Sequence, residues 1–283
     1  MQFVLYSEIE AFIEETLPHL EKDEAINNLM LGIALQLQKD ASLCPDAVFI
    51  VIQDENCLAL AALMTPPEKL IVYSPGEADT EALKCLIQGI LENNISIPGV
   101  IGPAELAGRF ADLWALQTGS LVKLEMHMRV YELREVNREV IGEGQLRAAE
   151  DKDLEFVIEA VAQFQRDAGF GEPDLEACAA MAWRMITNQT LYLWELHREI
   201  VSMAAAGRRT RSGIAINLVY TPKGLRRHGY ATSCVAELSQ RLLDLGYQFC
   251  TLFADLANPI SNSIYQKIGY QPIGDYDSYL FNK

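Results

Sequence analysis

Two short stretches of this chain combine residue types suited to holding a phosphorylated ligand and moving a proton. The first is KGLRRHGYATSCVAEL, beginning at Lys223, in which Arg226, Arg227, His228, Gly229, Tyr230, Ala231 and Thr232 run from a loop into a helix. Cys234, Val235, Leu238, Leu242 and Leu245 keep helical spacing beyond it. Small residues at Gly229 and Ala231 allow a ligand close to the backbone. The first-turn N–H groups of such a helix lack intrahelical partners and point outward with the positive end of the dipole. That is an anion site suited to a pyrophosphate. From Ile200 to Ala236 there is no Asp or Glu, whereas an even spread of the acids would put about five there. The same window carries Arg208, Arg209, Arg211, Lys223, Arg226 and Arg227. A solvated basic face is the other reading of that window.

The second stretch is DLANPISNSIYQKIGYQPIGDY, beginning at Asp255. Asn258 is suited to cap a helix with Pro259 at its first position, and Gly269 to stop it. Ser261, Asn262 and Tyr265 then share one helix face. The phenol of Tyr265 is either a proton donor or a core aromatic, and Asn258 either binds a ligand or caps only.

Hydrophobic patterning supplies the elements that must position these groups. In the first half, helical spacing runs through 7–20 and 24–39, followed by strands at 47–53, 57–64 and 69–74. A helix near 77–93, a strand at 97–101, a helix near 104–118 and a long strand at 121–133 complete it. The second half opens with a strand at 145–149 and then repeats the order. It has helices near 151–168 and 174–187, strands at 191–196, 199–206 and 213–220, and a helix from about 229 to 245. A strand at 247–254, a helix at 259–268 and a strand at 270–281 follow. The offset between the halves is about 145–150 residues. The polar stretch REVNREVIGEGQL, at 134–146, is the expected boundary. This divides the chain into 1–134, a linker at 135–145, and 146–283.

Together the two stretches, each between a strand and a helix, resemble signatures of the GNAT superfamily of acetyl-CoA-dependent N-acetyltransferases. Residues 226–231 are similar to its Q/R-x-x-G-x-G/A pyrophosphate signature, and 258–270 to its C-terminal motif ending Tyr-x-x-x-Gly-Phe/Tyr. The resemblance covers about 146–283 and implies an α/β (α+β) fold. Two tandem GNAT-like domains are then expected, each a mixed, mainly antiparallel twisted sheet flanked by helices. By the resemblance, backbone groups of Leu218, Val219 and Tyr220, on a strand splayed from its neighbour, hold pantetheine and the thioester carbonyl. The amides of Arg227 to Thr232 cradle the pyrophosphate, with Arg226 at the Q/R position. Asn258 bonds the pantetheine arm, Asn262 lies one turn on, and Tyr265 protonates the departing thiolate. The cosubstrate implied is acetyl-CoA and the acceptor a small-molecule or peptide amine. One family feature is missing: the strand GIAINLVYT carries no carboxylate to serve as base. Asn217 could order a water there. Glu195, His197 and Glu199 flank the preceding turn, and the base stays unassigned.

The first half lacks the same equipment. After IVYS comes PGEADTEAL, acidic where the other half reads RRHGYA, and aligning Gly119 with Gly269 sets Ala115 opposite Tyr265. It is read as a degenerate GNAT-like domain or as another α/β domain, with Pro66-Pro67 and Trp114 as candidate cleft residues.

Composition narrows the partners. With 23 Lys+Arg against 39 Asp+Glu the net charge is −16, which disfavours nucleic acid and anionic membrane surfaces and favours cationic amines. The opening MQFVLYSEIEAFIEE has no basic region ahead of its apolar residues, so no signal peptide is expected, and no apolar run is long enough for a membrane span. Cys44, Cys57, Cys85, Cys178, Cys234 and Cys250 are scattered without metal-ligand spacing. They read as reduced, mostly buried residues of a cytoplasmic protein that holds no metal. An acetyl-CoA-binding sensor with little turnover is the alternative to an enzyme.

Overall fold

Ile50 and Ile52 pack with Leu60 and Ala62 in one apolar cluster, while Phe49 and Val51 pack with Ala61 and Leu63 in another. Both faces of these strands are therefore buried, which is why they read as unbroken apolar runs rather than alternating ones. A sheet covered on both sides follows. The computed structural model describes residues 1–77, 79–169 and 171–282.

The first half contains β1 (Gln2–Tyr6), α1 (Ile9–Leu20), α2 (Asn28–Lys39), β2 (Val48–Asp54), β3 (Cys57–Met64), β4 (Leu70–Tyr73), α3 (Thr80–Glu92), β5 (Gly99–Pro103), α4 (Ala104–Thr118) and β6 (Leu121–Leu133). The second contains β7 (Gln145–Ala148), α5 (Leu154–Asp167), α6 (Leu175–Thr187), β8 (Leu191–Leu196), β9 (Glu199–Gly207), β10 (Gly213–Tyr220), α7 (Tyr230–Asp244), β11 (Phe249–Asp255), α8 (Pro259–Ile268) and β12 (Gln271–Asn282). The repeated order read from periodicity is present, and β1, which the patterning did not show, completes it. The helix expected near 77–93 begins at Thr80, and Ala78 lies outside the described residues.

All strands join one twelve-stranded sheet in the order β1-β2-β3-β4-β5-β12-β6-β11-β10-β9-β8-β7. Neighbours are antiparallel except β4 with β5 and β10 with β11. The order maps onto itself when the halves are interchanged, and each half lends its last strand to the other. β12 pairs with β5, from Tyr276 opposite Pro103 to Leu280 opposite Gly99. β6 pairs with β11, from Cys250 opposite Leu133 to Asp255 opposite Met128. The two exchanged strands pair with each other along their whole length, so the pseudo-twofold axis falls between them. A core of Tyr131, Leu133, Cys234, Leu238, Leu252 and Tyr265 lies under α7 and α8, and one of Val157, Val161, Leu193, Leu218 and Tyr220 under α5 and α6.

The 134–146 stretch is ordered against the second half. Asn137 donates its N–H to the Ile268 carbonyl (2.8 Å) and its side-chain amide to that of Lys267 (3.2 Å), closing the end of α8. The Gly142 N–H donates to Ser233 Oγ on α7 (2.9 Å). Three cysteines, Cys178, Cys234 and Cys250, are buried as expected, but Cys57 is exposed at a strand end. Trp114 is no cleft residue: it is buried, stacked on Phe110 and on Phe281 of the exchanged β12.

Arg147 on β7 makes a two-pronged pair with Asp153 (2.6 and 2.9 Å) and a further bond to Glu195 (2.8 Å). Burial alone would raise the Asp153 carboxyl, but Arg147 and the Glu150 N–H outweigh it and hold the carboxyl below its ordinary value. Arg147 likewise holds Glu195 low. A depressed folded-state pKa gives stability that is present above the unfolded value and lost as pH falls through the folded one. Unfolding free energy should therefore hold steady from pH 7 to about 5 and decline below about 4. Asp153→Asn should remove about 2 kcal/mol at pH 7 and flatten part of that acid decline, read by urea titration at several pH values. An unchanged acid limb in the variant would show the pair to be inert.

Candidate active site

The strand ahead of the basic loop departs from its neighbour. β10 pairs with β11 only at Gly213, Ile214 and Ala215, opposite Phe249, Cys250 and Thr251. On its other side the register with β9 slips between Asn217 and Tyr220, where Leu218 adopts φ +50°. A bulge of this kind bends one strand and re-aims its backbone. The Leu218 and Tyr220 side chains pack into the core under α5 and α6, so this segment turns main chain rather than side chains toward the opening. Ser202 Oγ pins its end, donating to the Tyr220 carbonyl (3.0 Å) and lying 2.9 Å from Thr221 Oγ1. In the first half, β4 is only four residues long and stays in register with β3.

Beyond Thr221 the chain passes through a 3-10 turn at Lys223–Leu225 to Arg226, Arg227 (φ +69°), His228 and Gly229 (φ +84°). Gly229 sits in the cap position of α7 and offers no side-chain acceptor. The first bond back to it comes from the Ser233 N–H (3.0 Å), leaving the N–H groups of Tyr230, Ala231 and Thr232 directed out of the helix end. α3, at the matching place in the first half, differs: Asp79 caps it, accepting from the Glu81 N–H (3.2 Å). One helix end is open to an anion and the other already holds a carboxylate.

The basic side chains divide. Arg226 donates from Nε to the Thr221 carbonyl (3.0 Å), lies 5.7 Å over the Tyr220 ring, and pairs with Asp167 at the end of α5. Lys223 also pairs with Asp167 (3.0 Å), and these two cations hold that carboxyl below its usual range, Arg226 foremost. Arg226 thus tethers the loop to α5. Arg227 and His228 are exposed, with the His228 ring stacked on Tyr230 at 5.5 Å.

Across the opening, α8 packs on β11. Asn258 caps it, its Oδ1 accepting from the Ser261 N–H (3.1 Å). Asn262 donates to the carbonyls of Asp255 (2.7 Å) and Asn258 (2.8 Å) and accepts from the Tyr131 hydroxyl (2.8 Å), so its amide fastens α8 to the sheet. Tyr265 is 7 % exposed, between the rings of Tyr131 (6.2 Å) and Tyr270 (6.0 Å). Burial, with a smaller contribution from Tyr131, pushes its phenol up to about 12. Its hydroxyl makes no hydrogen bond to another described residue, and it is not among the buried polar atoms cut off from solvent, so it faces the opening. The phenol is therefore a protonated donor awaiting an acceptor.

The sequence reading did not single out Tyr131. It comes from the first half and reaches the second only through the strand exchange, which no local spacing reveals. His127 likewise finds its partner only through that exchange, away from the opening. It pairs through Nδ1 with Asp277, its register partner across the pseudo-twofold axis, and Asp277 also accepts from the Tyr279 hydroxyl (3.1 Å). The 150-residue separation of His127 and Asp277, matching the repeat offset, was the available signal. No carboxylate stands on β10, Asn217 is exposed there, and Glu195 is engaged by Arg147. Among the described residues no group of His, Cys, Asp and Glu could hold a metal ion, and no helix is long and apolar enough to cross a membrane.

Comparison with known proteins bears on this arrangement. Residues 196–279, which include the splayed strand, the loop, α7 and Tyr265, match the family model described as FR47-like protein. No curated protein matches the sequence. Among solved structures, a GNAT-family acetyltransferase from Colwellia psychrerythraea is 12 % identical, with all of both chains covered and a TM-score of 0.61. A GCN5-related N-acetyltransferase from Sphaerobacter thermophilus is 14 % identical over 99 % of this chain and 95 % of its own, with a TM-score of 0.61. A Drosophila protein reaches a TM-score of 0.69 at 13 % identity over 99 % of this chain and 98 % of its own. At these identities the likeness is one of fold, and it extends over both halves. The fold expected from the sequence resemblance is therefore present: a mainly antiparallel sheet flanked by helices, like that of these GNAT-family structures.

Proposed function

We propose that this chain is an N-acetyltransferase that moves the acetyl group of acetyl-CoA to a primary amine of a small molecule or peptide. The observation that carries the reading is the splay of β10 from β11, with the open end of α7 on one side and the unpartnered Tyr265 hydroxyl on the other. In this reading the amides of Arg227 to Thr232 accept the pyrophosphate, with Arg226 holding the loop against α5. The turned main chain of Leu218, Val219 and Tyr220 bonds the pantetheine and steadies the thioester oxygen as it gains charge. Asn258 keeps its amide N–H groups for the pantetheine arm, and Asn262 keeps α8 in place.

The amine nitrogen attacks the thioester carbon directly in a ternary complex. The C–N bond forms, the C–S bond breaks, and the thiolate leaves toward Tyr265. A phenol at about 12 is a weaker acid than a thiol at about 8.5, so Tyr265 stabilises the thiolate chiefly as a hydrogen-bond donor. The ammonium proton departs to water or to a base that β10 does not supply. Acceptor binding then consists mainly of positioning a neutral amine. Work in the cytoplasm is part of the proposal, supported by six unpaired cysteines.

The lack of a carboxylate on β10 favours one other reading, an acetyl-CoA-binding sensor with little turnover. Thiol release from acetyl-CoA, followed with and without a panel of amines, separates the two. Release that depends on the amine supports transfer; slow release indifferent to every amine supports the sensor.

A further inference from the structure

One half-buried cation of the basic window takes no part in the site described above. Arg208 follows β9 in the hairpin that leads to β10, with φ +44°. Its Cβ lies against α2 where Gly32 leaves room: a Cβ on Gly32 would stand 2.7 Å from it. Asn28 of the same helix holds it at two points, accepting from Arg208 Nε (3.2 Å) and donating to the Arg208 carbonyl (3.0 Å). The guanidinium carbon stands 5.6 Å from the centre of the Phe253 ring, which meets Tyr276 edge-on at 5.2 Å. The side chain is thus fixed at the junction of the two halves.

Its charge has no answer within the protein. Arg129, Arg147 and Arg226 are each paired with a carboxylate. Among the described residues Arg208 has none, and its terminal nitrogens make no hydrogen bond. Burial alone acts on it, lowering it to about 10. These nitrogens are also not among the buried polar atoms cut off from solvent, so the group looks into an opening. A cation partly withdrawn from water gains from a counter-charge. A half-buried guanidinium with no carboxylate beside it, in a chain with 39 acids, points to a counter-charge that arrives with a ligand.

The place of Arg208 indicates which ligand. Phe253 lies two residues past Thr251, the last residue of β11 that pairs with β10, and so borders the splayed opening. Thr251 and Phe253 share the face covered by α1 and α2, since Thr251 Oγ1 reaches the Ala25 carbonyl (3.3 Å). Leu252, Ala254 and Tyr265 belong to the opposite face, under α7 and α8. Arg208 and the phenol therefore stand on opposite sides of the sheet at the same gap. Asn217 is exposed on β10, its Nδ2 3.7 Å from where a Cβ on Gly207, the residue before Arg208, would be. A ligand entering from the α2 face meets a guanidinium fork and a carboxamide.

We propose that Arg208, held by Asn28 and Phe253, binds a carboxylate of the acceptor, so that the acceptor is an amino acid or a similar small amine bearing a carboxylate. This rests on the acetyl-transfer reading above and makes Arg208 a specificity-determining residue. A zwitterion carries no net charge, so the −16 of the chain does not repel it.

The test offers the protein and acetyl-CoA two pools, the standard amino acids and the corresponding amino-acid amides, and identifies the acetylated products by mass spectrometry. Preference for the acid pool of at least tenfold in kcat/KM, falling to near parity in Arg208→Gln with acetyl-CoA affinity unchanged, is the expected result. Equal use of both pools, or a preference for the amides, overturns the proposal, as does a preference that Arg208→Gln leaves intact. If Arg208→Gln fails to fold, Arg208→Lys keeps the charge and loses the fork. It should raise KM for the acid at least fivefold with little change in kcat, and an unchanged KM counts against the anchor. If neither pool is acetylated, ligand-observed NMR on the CoA-loaded protein, with the N-acetyl amino acids and the N-acetyl amides as probes, separates the two claims. Broadening of the acids alone, abolished in the variant, keeps the anchor while the transfer reading falls. Broadening of both pools or of neither removes the anchor.

Discussion

Tyr265→Phe should lower turnover at least tenfold, and about a hundredfold if the phenol is the principal donor to the departing thiolate. Acetyl-CoA affinity should stay within about twofold, because the ring, its packing against Tyr131 and Tyr270, and the pyrophosphate loop are all retained. Lost turnover with unchanged affinity marks an interaction made in the transition state. Burial lifts the phenol to about 12, so the hydroxyl stays protonated through the working range. The pH–rate profile of the parent protein should therefore show no limb belonging to Tyr265 below about pH 11. Steady-state kinetics with a fixed amine, together with direct titration of acetyl-CoA, reads both quantities. Unchanged turnover would return Tyr265 to the core as a packing residue.

The second large effect belongs to Gly229. Its φ of +84° is a conformation that side-chain-bearing residues seldom take, and a Cβ placed there meets nothing within 4 Å. The cost of substitution thus lies in backbone strain and in filling the space in front of the α7 amides, not in a clash with the protein. Gly229→Val should weaken acetyl-CoA binding at least tenfold while the melting temperature moves only a few degrees. Gly229→Ala, which adds strain with little bulk, should fall between the two. Wild-type affinity in Gly229→Val would move the pyrophosphate away from this helix end.

How far the sequence reveals the molecule depends on the range of the interaction. The helices and strands are legible because their apolar periodicity is local, and the caps at Asn258 and Gly269 are legible because each is a matter of one or two residues. The short β1 escaped because QFVLY is followed at once by the helix start, and its register with β2 is set some fifty residues away. The exchange of β6 and β12 was hidden for a deeper reason. Which strand lies beside β11 depends on pairing across more than a hundred residues, and either half's last strand carries a suitable apolar face. The contacts that local spacing does not reveal follow from that exchange or from the junction it creates. Tyr131 reaches Tyr265 on a borrowed strand, His127 meets Asp277 at the pseudo-twofold, and Arg208, visible in the sequence as part of the basic window, is half-covered by α2 of the other half. Arg226 shows the converse, since its signature position was plain in the sequence while its tether to Asp167 required α5 to be placed.

On the proposed reading, the first half binds no cofactor of its own. It serves the second half by lending β6, by covering Arg208, and by leaving its own α3 end filled with Asp79. The most direct test is isothermal titration of the whole chain with acetyl-CoA, read for stoichiometry. One molecule bound per chain, with micromolar affinity and lost in Gly229→Val, is the result this arrangement predicts. Two per chain would make the first half a second binding site despite its carboxylate-capped helix, and none would leave the splayed strands and open helix end without the ligand proposed for them.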